Sequence, residues 1–159
     1  MKRLTRPLAM LGLAMGVALG AAADDASERS QHGILHRISQ DDIARVDGRL
    51  REALAARGMR LMTVVDHAGN AAGVDLELPE TRTFVFGNPA VGTPMMQCRG
   101  SLALDLPQKM LLRETAEGTR IEWNDPRYLA RRHDLEACEL PLGKVAGALS
   151  GIAEAAAGP

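Results

Sequence analysis

Aromatic side chains are nearly missing from this chain: Phe84, Phe86, Trp123 and Tyr128 are the only four among 159 residues. Proteins that hold single-stranded nucleic acid stack bases on such rings and track the backbone with basic groups. The formal charge here is −1, so both parts of that footprint are wanting and nucleic acid is excluded as a partner. The same poverty argues against a sugar-binding cleft. Cysteine is scarce too, with Cys98 and Cys138 the only pair. No CxxC motif and no HxxxH pair on a helix is found, so no metal or cofactor is expected. No serine sits in a nucleophile-elbow motif, and no paired-carboxylate spacing stands out. The echo of Gly87-Asn88-Pro89 and Gly92-Thr93-Pro94 lacks the lysine and the glycine density of a phosphate loop.

What the chain does have begins with a targeting pattern. Lys2, Arg3 and Arg6 precede an apolar run over residues 8–19, and Ala21-Ala22-Ala23 before Asp24 fits an A-x-A cleavage site. The apolar run falls short of the roughly 20 residues that a spanning helix needs. A signal peptide over residues 1–23 is expected, with a periplasmic or secreted product and no stable membrane insertion after cleavage. Loss of those three basic residues takes the formal charge from −1 to −4. Residues 24–31 (DDASERSQ) read as a polar, disordered tether. Residues 32–157 then suffice for one domain with one core.

Periodicity places the elements of that domain. Residues 34–38 form a short strand with Ile34, His36 and Ile38 on one face. Ser39 opens a helix, with Asp42 three residues on in a capping-box pattern. Ile43, Val46, Leu50 and Leu54 make its apolar stripe, and Gly58 is its left-handed stop. Strands follow over residues 61–65 and Thr81–Gly87, the latter with Phe84 and Phe86 on one face. Between them, residues 66–73 read as a loop or one short helical turn. Asn88-Pro89, Thr93-Pro94 and Asp125-Pro126 each set a capping side chain before a proline suited to the first helical turn. Residues 108–114 and 119–124 form a hairpin. A final helix over residues 141–157 buries Leu142, Val145, Leu149, Ile152 and Ala156. Gly143, Gly147 and Gly151 line its flank, and each costs the helix roughly 1 kcal/mol against alanine. Close approach to the sheet, or to a partner helix in a dimer, would offset that cost. The element order predicts a compact two-layer α+β domain with a largely antiparallel sheet packed by helices.

At GNPAVGTPMMQ, LDLPQKMLL and WNDPRYLARRH the chain resembles the bacterial domain-of-unknown-function 302 family. VVDHAGNAAG is similar to that family's Asp-His loop after its second strand. Trp123 stands where tyrosine is frequent, and Gln108 where an apolar residue is common. The resemblance implies a compact α+β domain that pairs as a homodimer, and no activity.

Candidate chemistry is sparse. His67, after Asp66 at a strand end, can serve as a base or a metal ligand, or hold its loop by a backbone hydrogen bond. Asn88 and Thr93 can cap helices or offer donors to an anion. Met95 and Met96 can form an apolar wall; with Cys98 and His67 they are also soft enough for Cu(I). Cys98 and Cys138 can form a disulfide in an oxidising compartment, stay buried thiols, or leave Cys98 redox-active. Asp105 is expected to shape a turn, Asp125 to cap a helix, and Arg131, Arg132 and His133 to favour a helix C-terminus or dock an anion. The reading is an exported domain binding a small ligand or protein partner through His67, Asn88, Thr93 and Met96. The alternatives are a small envelope enzyme with His67 as general base, or a metal or thiol-redox protein. The placement of that pocket assumes that the strands ending at Asp66 and Gly87 run the same way side by side.

Overall fold

The computed structural model describes residues 32–159. The signal peptide and tether expected over residues 1–31 lie outside the described residues. Five strands, β1 (Ile34–Ser39), β2 (Arg60–Asp66), β3 (Thr81–Gly87), β4 (Gln108–Thr115) and β5 (Gly118–Asn124), form one sheet in the order β1-β5-β4-β3-β2. Every neighbouring pair is antiparallel. Among the described residues five α-helices accompany it: α1 (Ile43–Ala56), α2 (His67–Ala72), α3 (Pro89–Cys98), α4 (Pro126–Arg132) and α5 (Leu142–Ala157). The α+β class read from the pattern is the class found.

Side-chain alternation explains the layering. Phe84 and Phe86, Met110 and Leu112, Ile121 and Trp123 sit two apart on their strands and all are buried. They meet Val46, Leu50 and Leu54 of α1 and Leu149, Ile152 and Ala156 of α5 in one core. On β1 it is Leu35 that packs against this core. The stripe of Ile34, His36 and Ile38 falls on the opposite face, where Ile38, Val85 and Leu111 stay half-buried.

That second face carries a charge network. Glu122 accepts from Arg113 at 2.5 Å and from Arg120 at 3.0 Å. Burial pushes the Glu122 carboxyl up, but the two arginine bonds outweigh it and hold it below its ordinary value of 4.5. A carboxylate with a depressed folded pKa stabilises the fold above its unfolded value, and that contribution is lost as pH falls through the folded value. Thermal scans should therefore show the native chain losing stability below about pH 4.5, with E122Q showing a shallower acid limb. Parallel acid limbs would mean that the network contributes nothing.

Local chemistry sets the element ends. Asp42, not Ser39, caps α1, accepting from the Arg45 amide at 2.8 Å. Ser39 remains in β1, paired with Thr119, and donates its hydroxyl to the Ala157 carbonyl at 2.6 Å. Strand pairing thus outcompetes the capping box. Arg49 completes this clasp by donating to the carbonyls of Ala156 and Ala157 and to Asp41. Gly58 has φ +61° just beyond α1, as its position predicts. At Gly118 a Cβ would lie 2.2 Å from the Ser39 carbonyl oxygen, so the β4–β5 turn needs glycine to pass the end of β1.

Residues 66–73, read as a loop or one short helical turn, hold the short helix α2, capped by Asp66 through the Gly69 amide at 2.9 Å. Two readings are corrected. Thr93-Pro94 starts no second helix; Pro94 lies inside α3. The glycine flank of α5 makes no close approach to the sheet. Nothing lies within 4 Å of a Cβ built on Gly143 or Gly147, and Gly151 meets only the Arg57 guanidinium.

Candidate functional site

The antiparallel register decides where functional groups can meet. Arg60 pairs with Gly87, and Asp66 pairs with Arg82. β2 and β3 are therefore neighbours running in opposite directions, so the assumption of parallel strands fails. The chain leaves β3 at Gly87, enters β4 at Gln108 and leaves β5 at Asn124, all at one end of the sheet. The excursions over residues 88–107 and 125–141 therefore gather at that end. His67 begins α2 at the other end and bonds the Thr83 hydroxyl at 2.9 Å. It stands apart from Asn88, Thr93 and Met96, which the structure does bring together.

Those three residues line a cavity of about 440 Å³. Its walls are α3, the turn after it, the ends of β2 and β3, and the first half of α5. Met59, Met62, Met95 and Met96 all face it. They are four of the five methionines beyond residue 23, and Met110 in the main core is the fifth. Val91, Leu106, Val145 and Leu149 add apolar wall. Lys144 is the one charged liner, with Asn88, Thr93 and Gln108 as polar neighbours. The size suits a small molecule, since ligand sites typically span about 300–1,000 Å³. Thioether side chains adapt to varied apolar shapes.

Local bonding defines what each liner can offer. The Asn88 side-chain oxygen accepts from the Ala90 amide at 3.0 Å and so caps α3. Thr93, one residue before Pro94, is a wall residue within the helix and not a cap. Met95 belongs to a second apolar cluster with Leu102, Leu129, Ala130 and Leu135. Cys98, the last residue of α3, is disulfide-bonded to Cys138 across a Cα–Cα distance of 6.3 Å. Cys138 lies four residues before α5, so the bond ties two walls of the cavity together. It also withdraws Cys98 from copper ligation and from thiol chemistry. His67 is remote as well, so the proposed soft-metal set is not assembled. Among the described residues, no three His, Cys, Asp or Glu side chains cluster in a way that could hold a metal ion.

A second constellation was not foreseen as a unit. Asp105 lies just after the 3-10 turn Gly100–Leu104, and His133 caps the C-terminus of α4. His133 Nε2 is 2.5 Å from Asp105 Oδ2, and Nδ1 is 2.9 Å from Ser101 Oγ. The His133 side chain is only 4% exposed. Arg132 approaches the other Asp105 oxygen at 3.5 Å. His133 is thus a buried partner of Asp105 and not part of a surface basic cluster. Asp105, expected to shape a turn, engages His133 and Arg132 through its carboxylate. The 28-residue separation between them hid the pairing.

Comparison with known proteins bears on the whole domain. The sequence model of the family "Domain of unknown function DUF302" matches residues 35–156. A crystal structure of an uncharacterized conserved DUF302 protein from Bacillus stearothermophilus superposes with a TM-score of 0.72. It is 14% identical and covers 78% of this chain and 98% of its own, so it speaks to the fold alone. A Brucella suis protein named fluoride-specific ion channel FluC 1 is 36% identical over 104 residues. The match takes in 65% of this chain and 41% of that protein. Its Brucella abortus counterpart is also 36% identical, over 38% of its length. The chain therefore spans about two-fifths of the curated relatives it matches.

Proposed function

The chain belongs to the DUF302 family, a membership that brings a fold and no activity, and on that premise we propose that it is an exported domain that binds a small apolar molecule bearing an anionic group. The cavity of about 440 Å³ carries the reading. Its methionine-rich wall suits an apolar body, and Lys144 suits a carboxylate or similar head at the rim. A lone lysine among apolar liners favours an anion over a cation or a neutral polar ligand. Export is supported by the targeting pattern of residues 1–23 and by the Cys98–Cys138 bond, which suits an oxidising compartment. Pairing as a homodimer belongs to the same proposal, supported by the half-buried Ile38, Val85 and Leu111 on the sheet face away from α1 and α5.

The Brucella relatives carry the name fluoride-specific ion channel, and the matched part is about two-fifths of their length. Conduction is not proposed for this chain. Among the described residues no helix is long and apolar enough to cross a membrane.

Titration with the fluorescent carboxylate dansyl-undecanoate tests the reading. Emission should rise and saturate. K144A should weaken binding about 2- to 5-fold, as expected for a part-exposed ion pair worth up to about 1 kcal/mol. The neutral methyl ester of the probe should bind both proteins alike. A probe that does not saturate, or a lysine effect equal for acid and ester, would contradict the reading.

A further inference from the structure

A different part of the molecule carries chemistry that the cavity does not use. The Asp105 carboxylate at 2.5 Å from His133 Nε2 can only accept, so the ring proton resides on Nε2. In the neutral ring His133 Nδ1 then presents a lone pair, which the Ser101 hydroxyl, 2.9 Å away, can meet as donor. The Ser101 hydroxyl proton is thereby aimed at a buried imidazole, while Ser101 itself is exposed. This is the division of roles in a serine nucleophile system, with the two ring nitrogens exchanged. Such systems are recognised by geometry and role, and either imidazole nitrogen is a competent base.

We propose that Ser101, His133 and Asp105 form a nucleophilic site that hydrolyses small acyl esters. Ser101 Oγ bonds to the ester carbonyl carbon as its proton passes to His133 Nδ1. Asp105 holds the ring and offsets the positive charge that forms on it. The tetrahedral adduct collapses, the carbon–oxygen bond to the alcohol breaks, and the alcohol leaves with the proton from Nδ1. Water then adds to the acyl carbon, giving its proton to Nδ1. Ser101 Oγ departs, recovers that proton, and the carboxylic acid is released. One ester and one water give one acid and one alcohol. Ser101 and His133 are the catalytic residues, and Asp105 is a positioning residue.

The sequence concealed this site because no elbow motif surrounds Ser101. The residues arrive from a 3-10 turn, the residue after that turn and a helix C-cap. The same turn lends Ala103 to the cavity wall, but the esterase reading does not depend on a ligand there. A148W, which targets the cavity, leaves Ser101 untouched, so each reading can fail alone.

The test uses the purified chain with its disulfide intact, diisopropyl fluorophosphate and p-nitrophenyl acetate. Peptide mapping should find one phosphoryl adduct, on Ser101, and S101A should acquire none. Ester turnover should fall at least about 100-fold in S101A, and by a similar factor in D105N, the range for loss of general-base assistance. S101A removes a hydrogen bond to the buried His133 and should melt somewhat lower, so turnover is compared at a temperature where circular dichroism shows both chains fully folded. D105E, which keeps a carboxylate, should recover part of the turnover lost in D105N; a purely structural tie gives no such ordering. Absence of an adduct at Ser101, or S101A hydrolysing the ester as fast as the native chain, would overturn the proposal.

Discussion

Replacing Ala148 by tryptophan is expected to raise the dissociation constant for dansyl-undecanoate at least about 100-fold, a loss of roughly 2.7 kcal/mol. Ala148 lies half-buried on α5 between Val145 and Leu149 and lines the cavity. A tryptophan brings roughly 150–250 Å² of apolar surface of its own, and the vacant space is the nearest place to bury it. The indole would thus take the position of the ligand body. Overpacking into a filled core costs about 1–3 kcal/mol, but here the side chain enters space that is open, so the melting temperature should change little. Circular dichroism melts beside the titration check both halves of the expectation. An A148W chain that melts normally and binds the probe as before would show that the cavity is not where the probe sits.

The largest effect on stability is expected from the double variant C98S/C138S. On the chain-entropy account, closing a loop with a sequence separation of 40 stabilises the fold by about 4 kcal/mol. That is a large share of the roughly 5–15 kcal/mol by which domains of this kind are stable. The melting temperature should fall by roughly 8–30 °C, at about 2–8 °C per kcal/mol across small and medium domains. The loss should also reach the cavity, because the bond joins the end of α3 to the segment leading into α5. Probe affinity should drop in the double variant even at temperatures where the main core stays folded. Hydrogen exchange would localise the change: amides of α3 should lose protection before those of β3 and β4, whose Phe84, Phe86, Met110 and Leu112 lie in the other cluster. Uniform loss of protection would instead mean that the two clusters unfold as one unit.

Local pattern carried most of the fold into view. Strand β3 was legible to the residue because Phe84 and Phe86 alternate with half-exposed neighbours between turn formers. The hairpin of β4 and β5, the stop at Gly58 and the starts of α3 and α4 followed from side chains whose effect spans three or four residues. The misreadings share a different cause. Ser39 had the chemistry of a cap, yet its pairing with Thr119, distant in sequence, kept it in β1. Thr93-Pro94 had the chemistry of a helix start, but α3 was already under way from Asn88.

The site followed the same division. Asn88, Thr93 and Met96 sit within nine residues of one another, so one helix delivers them together. Adding His67 required knowing the direction of β2 against β3, and antiparallel pairing sends it to the far end. Met59, Met62 and Lys144 were missed as liners because β2 and α5 bring them in from distant parts of the sequence. The concentration of methionine outside the main core was the available signal. Asp105 and His133 could not be joined from sequence, because nothing in a 28-residue separation marks two polar side chains as neighbours.

One experiment addresses the binding claim most directly: methyl NMR of the chain labelled at its methionine methyl carbons, titrated with decanoate. Met59, Met62, Met95 and Met96 line the cavity, while Met110 is fully buried in the main core and serves as an internal reference. The account predicts saturable shifts of the four cavity methyls, an unmoved Met110, and loss of the response in A148W. No shift at saturating decanoate, or shifts that A148W leaves intact, would contradict it.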